Sequence, residues 1–186
     1  MKHDRLHALT DGIFAIAMTL LVLELKIPEI HHATNDQLLQ TLGANYKLFL
    51  SYLLSFTALF LYWRAHNFIV SVVAKNLDTN LVNINVIFLF FIGLVPFSTY
   101  FLGLYADTQV AIIVYALTLI AIGLTLLGMR MYTEKSQNIE ALERSHHEKV
   151  NGILRLILPV VAAIVAIPLS FASATVALWL LVAAVC

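Results

Sequence analysis

Asp11 and His66 are the residues best suited to chemistry in this sequence, because each interrupts a segment that is otherwise apolar. An ionised carboxylate that faces lipid costs about 2.5–3.5 kcal/mol on insertion scales, so Asp11 is expected to face protein or water and to have a partner. Arg5 lies six positions earlier, on a different face of a helix, so we expect partners on other segments. Such groups could clasp two helices, relay protons or bias a path for cations.

An apolar stripe follows Asp11 along the segment "GIFAIAMTLLVLELKI". Residues three or four positions apart share one face of a helix. The stripe defined by this spacing contains Ile16, Thr19, Leu20 and Leu23, with Gly12 below it and Ile27 above it. By itself the stripe is more typical of helix packing or lipid contact than of the lining of a conduit.

Polar side chains gather at the depth of Asp11 in two later segments, "YWRAHNF" and "NLDTNLVNIN". One connected network would satisfy these groups and hold the base of the first helix in place. Its predicted members are Arg5, Thr10, Asp11, Trp63, His66, Asn80 and Asn83. Three simpler interpretations stay open: a purely structural clasp of Asp11 with Arg5, a satisfied interfacial His66, and Trp63 as an ordinary interfacial anchor.

The composition is that of a membrane protein. The 186 residues are 61% hydrophobic and 12% charged, with a mean hydropathy of +0.88, whereas a soluble domain is about half apolar and a quarter charged. The formal net charge is zero and no basic stripe occurs, so a nucleic-acid partner is not expected. The single Cys186 excludes an internal disulfide and a multi-cysteine metal site.

Hydropathy predicts an all-α, polytopic fold with six transmembrane helices per subunit, forming one domain over residues 1–186. Pro28 is expected to end the first span and Pro168 to divide the last two, because proline disfavours helix at and before its position. The predicted spans are 6–27, 46–74, 79–104, 109–132, 151–168 and 171–186.

The distribution of Lys and Arg predicts that both termini are cytoplasmic in a multi-pass protein of the cell membrane. Only Lys26 and Lys47 would then lie outside. The cytoplasmic set comprises Lys2, Arg5, Arg64, Lys75, Arg130, Lys135, Arg144, Lys149 and Arg155.

Three motifs resemble one known family. The pattern R-x-x-x-L-T-D-G-I-F-A-I-A-x-T-L-L, which begins at Arg5, is similar to the first-helix signature of the transmembrane protein 175 family of potassium-permeable channels. "YWRAH" at 62–66 and "PFST" at 96–99 resemble that family's second and third helices. Leu9 and Thr10 depart from the family's Phe and Ser, although Thr10 keeps the hydroxyl.

The resemblance implies a prokaryotic single-repeat channel that assembles as a homotetramer, with four first helices lining a pore and no re-entrant filter loop. The sequence contains no Gly-rich segment of the "TVGYG" type. Carried onto this chain, the family's constriction falls on Ile16, Leu20 and Leu23, and Thr19 matches a threonine that offers a hydroxyl near the narrowest point. The expected partners are K⁺ and other monovalent cations, further copies of the chain and the lipid bilayer.

An apolar ring would act as both selectivity barrier and gate, because it coordinates no ion and excludes water when narrow. A rival interpretation is a proton-coupled secondary transporter with Asp11 and His66 as its relay. An enzyme is not expected, since no nucleophile lies in a context such as G-x-S-x-G. No cofactor or metal is predicted, because His31 with His32 and His146 with His147 are adjacent pairs whose rings point about 100° apart on a helix.

Overall fold

Helices account for all the regular structure in the part of the chain that the computed structural model describes, residues 3–27, 32, 34–73, 78–135 and 146–185. Side chains are described throughout these ranges except at 3, 4, 72, 73 and 146–156. The helices are α1 (His3–Leu23), α2 (Asn35–Ala44), α3 (Tyr46–Asn67), which continues as a π-helical turn (Phe68–Val73), α4 (Thr79–Tyr105), α5 (Gln109–Lys135), α6 (His146–Ala172) and α7 (Ala174–Val185).

Four stretches of the described chain are long and apolar enough to cross a membrane. They are Arg5–Leu23, Tyr46–Ser71, Thr79–Tyr105 and Gln109–Lys135, which belong to α1, α3, α4 and α5. The apolar part of α6 (Ile157–Ala172) and α7 are shorter. With twelve residues, α7 extends about 18 Å, less than the ~30 Å of a hydrocarbon core. Of the six membrane crossings expected from hydropathy, four are therefore supported by helix length.

The boundary between the last two helices differs from the expected break at Pro168. The helix α6 contains both Pro159 and Pro168 and continues to Ala172. A proline in a helix interior removes one donor, which packed neighbouring helices can tolerate. The actual break is at Ser173, whose Oγ accepts a hydrogen bond from the Val176 backbone N–H at 3.4 Å and so caps α7.

The first helix also ends before the proline that was expected to stop it. Its last helical residue is Leu23. After it, the backbone N–H groups of Glu24 and Leu25 donate hydrogen bonds to the carbonyl oxygens three residues earlier, those of Leu21 (3.3 Å) and Val22 (3.2 Å). The short helix α2, which hydropathy did not predict, begins at a capping box between Thr34 and Gln37. None of the residues of α2 is buried, and the segment is too polar for a hydropathy profile to detect.

A buried polar seam joins α3, α4 and α5 inside the largely apolar core. Ser55 Oγ lies 2.7 Å from Thr99 Oγ1 and 2.9 Å from Tyr115 Oη, and all three residues are buried. Farther along α5, Gly123 lets α6 approach closely, because a Cβ at this position would clash with Val160 Cγ2. Hydroxyls and small residues are the usual means by which helices associate where lipid supplies no hydrophobic drive.

Replacing Ser55 with Ala is expected to destabilise the protein by about 1 kcal/mol, because the variant loses hydrogen bonds that link three helices. The measurement is the thermal unfolding midpoint of the detergent-solubilised chain. Ser98→Ala is the matched control, since Ser98 is also buried and, among the described residues, bonds only to the Val95 carbonyl of its own helix. Equal losses in the two variants would contradict the linking role of Ser55.

Candidate functional site: the exposed face of the first helix

The helix α1 has one packed and one exposed face. The packed face lies against α3 and α4, and its buried residues are Leu6, Thr10, Phe14, Ala17 and Leu21. On the other face, Ile16 is 60% exposed, Leu20 41% and Leu23 63%. The stripe that spacing isolated is therefore turned away from the subunit's own interior, and it is free to meet lipid or other copies of the chain.

The exposed stripe extends one turn beyond Gly12. Leu9, seven positions before Ile16, is 47% exposed on the same side. Gly12 between them has no atom within 4 Å of a Cβ built on it. Leu9 was not among the expected lining residues, although its seven-residue offset is a signal that could have found it.

Thr19 is the polar member of the exposed stripe, and its own helix orients its hydroxyl. Its Oγ1 lies 2.9 Å from the carbonyl oxygens of both Ala15 and Ile16, which share its one proton. Because a hydroxyl carries only one proton, the lone pairs of Oγ1 point away from these carbonyls. Thr19 can therefore offer an oxygen acceptor, and not a donor, to a group that approaches the exposed face.

Asp11 finds its partner on α3. The indole Nε1 of Trp63 donates to Asp11 Oδ1 at 2.8 Å. Both side chains are accessible in the single subunit. The contact ties the first half of α1 to the last turns of α3, which agrees with the expectation that the carboxylate would be satisfied from another helix.

His66 belongs to a second, buried group. Its Nε2 lies 2.6 Å from Asn85 Oδ1 on α4, and its ring stacks on Phe88 with centroids 5.2 Å apart. Because an amide oxygen only accepts, Nε2 is the protonated nitrogen in this pairing. Within the described residues, His66 Nδ1, Asn85 Nδ2 and Thr10 Oγ1 are buried without a hydrogen-bond partner.

The remaining predicted members are distributed over other contacts. Arg5 and Asn83 are exposed, and the described residues give neither of them a hydrogen bond or ion pair. Asn80 Nδ2 donates to Tyr132 Oη at 3.1 Å, and that hydroxyl donates to Asp78. The predicted single network is therefore several separate groups in the described chain, and no direct hydrogen bond joins Asp11 to His66. Tyr132 was missing from the predicted set, whereas Asn85 belongs to the polar run "NLVNIN" from which amide partners were expected.

Comparison with known proteins relates this fold and helix to one family. Residues 5–96 match the family described as "Endosomal/lysosomal potassium channel TMEM175". A potassium channel of Chamaesiphon minutus is 32% identical over 147 residues, 77% of this chain and 72% of that protein. A potassium channel of Chryseobacterium sp. is 32% identical over 158 residues, 82% of this chain and 79% of that protein.

A solved structure agrees with these relatives over almost the whole chain. The crystal structure of a lysosomal potassium-selective channel TMEM175 homolog from Chamaesiphon minutus superposes with a TM-score of 0.80 at 28% identity. The match covers 97% of this chain and 93% of that one. The matched family region contains the whole exposed stripe of α1 and the Asp11–Trp63 contact. The chain therefore belongs to the TMEM175 family of potassium channels.

Proposed function

We propose that this protein is a potassium-permeable channel in which four subunits meet around one pore and each contributes its α1. The observation that carries the proposal is the apolar, exposed stripe of Ile16, Leu20 and Leu23 on the helix that bears the family signature. In a tetramer this stripe would face the symmetry axis while the opposite face stays packed on α3 and α4. Closed cyclic symmetry makes such a shared central path the natural result.

The stripe would form a hydrophobic barrier that also acts as the gate. A ring of Ile16 offers no coordinating oxygen, so a cation must pass with much of its water removed or compressed. K⁺ releases water more easily than Na⁺ and therefore has the advantage. When the ring is narrow it excludes liquid water, which closes the path.

Thr19 would supply a polar contact close to this barrier. Its lone pairs face away from the helix carbonyls that accept its proton. Four such oxygens around an axis would offer a partially dehydrated K⁺ or another monovalent cation a partial replacement for water. The same arrangement gives no advantage to an anion, because the donor is already engaged.

Opening would require a change in the tilt of α1, and the Asp11–Trp63 contact would restrain that tilt. The contact joins α1 to α3 near the end opposite Leu23. His66 and Asn85 brace α3 against α4 behind it. A proton-coupled transporter remains a weaker second candidate, because the expected Asp11–His66 relay lacks a direct hydrogen bond in the described residues.

The proposed subunit crosses the cell membrane six times, with both termini in the cytoplasm. The basic residues support this orientation by their positions at the two ends. Lys47 binds Asp107 at 2.5 Å and Lys26 lies 5.1 Å from the centre of the Tyr100 ring, so these two cations share one end. Arg64 and Arg130 line one cavity near the other end. The crossings by α6 and α7 are the least supported part, since both apolar segments are short.

Reconstitution into liposomes tests a channel against a carrier. A channel should give unitary currents that carry many ions per opening and reverse near the K⁺ equilibrium potential. A carrier should give slow, saturable flux that depends on a proton gradient. The second result would reject the channel in favour of the transporter.

Disulfide cross-linking tests the shared axis. With Cys186 replaced by Ser, the Leu23→Cys variant is expected to form covalent dimers of subunits on oxidation, because neighbouring Cβ atoms around a narrow ring approach the ~3.5–4.5 Å that a disulfide requires. The measurement is a non-reducing gel of membranes that contain the variant. Leu117→Cys on α5, 53% exposed, is the matched control and should stay monomeric. Equal cross-linking of both variants would contradict the proposed axis.

A further inference from the structure

A cavity separate from the α1 stripe lies between α3, α5, α6 and α7. Its volume is about 620 Å³, within the roughly 300–1,000 Å³ of small-molecule sites. Most of its described wall is apolar and includes Ala58, Leu61, Leu158 and Val185. No residue of α1 contributes to the described wall, so the cavity is not part of the proposed pore.

Two arginines give the cavity a cationic end. Arg64 on α3 is exposed, whereas Arg130 on α5 is only 2% exposed, and both line the cavity. Arg130 Nε donates to Glu134 Oε1 at 3.2 Å, which fixes the guanidinium at the wall and offsets one of the two positive charges. The described lining contains no Asp or Glu. The described wall therefore carries an excess of positive charge beside an apolar chamber.

An apolar part of the cavity wall extends from the depth of Arg64 toward the middle of the span. Ala58 lies six residues before Arg64 on α3, a rise of about 9 Å toward the middle of the span. The wall at Ala58 and Leu61 thus lies deeper in the membrane than Arg64, and Phe68 extends the lining beyond Arg64 in the other direction. This order matches an amphiphile whose head is anionic and whose tail is a hydrocarbon chain.

We propose that this cavity binds an anionic membrane phospholipid, with its phosphate at Arg64 and Arg130 and one acyl chain along Ala58, Leu61 and Leu158. Guanidinium groups bind phosphate oxygens through short charge-assisted hydrogen bonds. Basic pockets between transmembrane helices are typical sites for anionic lipid heads. A free phosphate would occupy only the cationic end, so the depth of the apolar wall favours the lipid. The proposal depends on membrane insertion and does not depend on the pore.

Native mass spectrometry of the full chain in detergent tests the lipid site. Purified protein is titrated separately with phosphatidylglycerol and phosphatidylcholine, and the number of bound lipids is measured. Phosphatidylglycerol is expected to bind more tightly, and Arg64→Gln should weaken it about fivefold, the effect of one basic residue near an anionic surface. Binding of phosphatidylcholine should hardly change. Equal affinities of the unmodified chain for the two lipids would overturn the proposal.

Two further variants separate a built site from general charge attraction. Lys135→Gln removes an exposed cation that does not line the cavity, and it should leave the preference for phosphatidylglycerol intact. Ala184→Phe narrows the cavity without changing charge, and it should weaken phosphatidylglycerol binding although both arginines remain.

If Lys135→Gln weakens binding as much as Arg64→Gln, the attraction is general. If inorganic phosphate at millimolar concentration displaces the lipid completely while Ala184→Phe has no effect, the site binds phosphate alone. Either result rejects the lipid site.

Discussion

Replacing Ile16 with Asn is expected to lower the permeability ratio of K⁺ over Na⁺ about three- to tenfold, which corresponds to roughly 0.7–1.4 kcal/mol. Ile16 is 60% exposed on the face of α1 that we propose to line the pore. Four amide oxygens at this ring would replace water for either cation, so the advantage of the ion that dehydrates more easily would disappear. The measurement is the reversal potential under bi-ionic conditions, with K⁺ on one side and Na⁺ on the other.

The same variant should also weaken closure, since a polar ring stays hydrated at a radius where an apolar ring dries. Val22→Asn is the matched control, because Val22 lies on the same helix and is 51% exposed on another face. The control should keep the reversal potential of the unmodified protein. An unchanged reversal potential in Ile16→Asn, or an equal change in both variants, would remove α1 from the permeation path.

Helix positions in the apolar part of this fold follow directly from hydropathy. The predicted starts at residues 46, 79 and 109 coincide with the first residues of α3, α4 and α5, because each span follows a polar connection. The break near the C-terminus was misplaced, since one missing donor at Pro168 costs less than the packing that keeps α6 continuous. The polar helix α2 depends on a local capping box, which a hydropathy profile does not detect.

In the candidate site, the exposed face of one helix could be predicted from the sequence, but the contacts between helices could not. The orientation of the stripe of Ile16, Leu20 and Leu23 is a property of one helix, and its exposure on a single face agrees with the helical spacing. The pairing of polar groups is tertiary information. Depth alone placed Asp11, Trp63 and His66 at one level, but rotation about the helix axes decides that Asp11 meets Trp63 and that His66 meets Asn85. A sequence pattern gives depth far better than rotation between helices.

Removal of the Trp63 donor is expected to raise the open probability of the assembled channel more than tenfold. Trp63→Phe keeps an aromatic ring but loses the Nε1–H that binds Asp11 at 2.8 Å. Because both side chains are accessible in the subunit, each contact is worth only about 0.5–1 kcal/mol. In a concerted opening of the proposed tetramer, the four contributions would add to roughly 2–4 kcal/mol. The restraint on the tilt of α1 would then be lost at all four positions, and single-channel recording measures the result.

Graded variants distinguish this gating restraint from a simple loss of stability. Asp11→Asn keeps an oxygen acceptor for Trp63 but loses the charge, so its open probability should lie between those of the unmodified protein and Trp63→Phe. Trp179→Phe on α7, 53% exposed, controls for the loss of an indole elsewhere and should leave gating unchanged. A structural clasp alone would lower the unfolding midpoint of Trp63→Phe without any change in open probability. That outcome would leave Asp11 as a positioning residue of α1 and move the control of opening to another part of the helix.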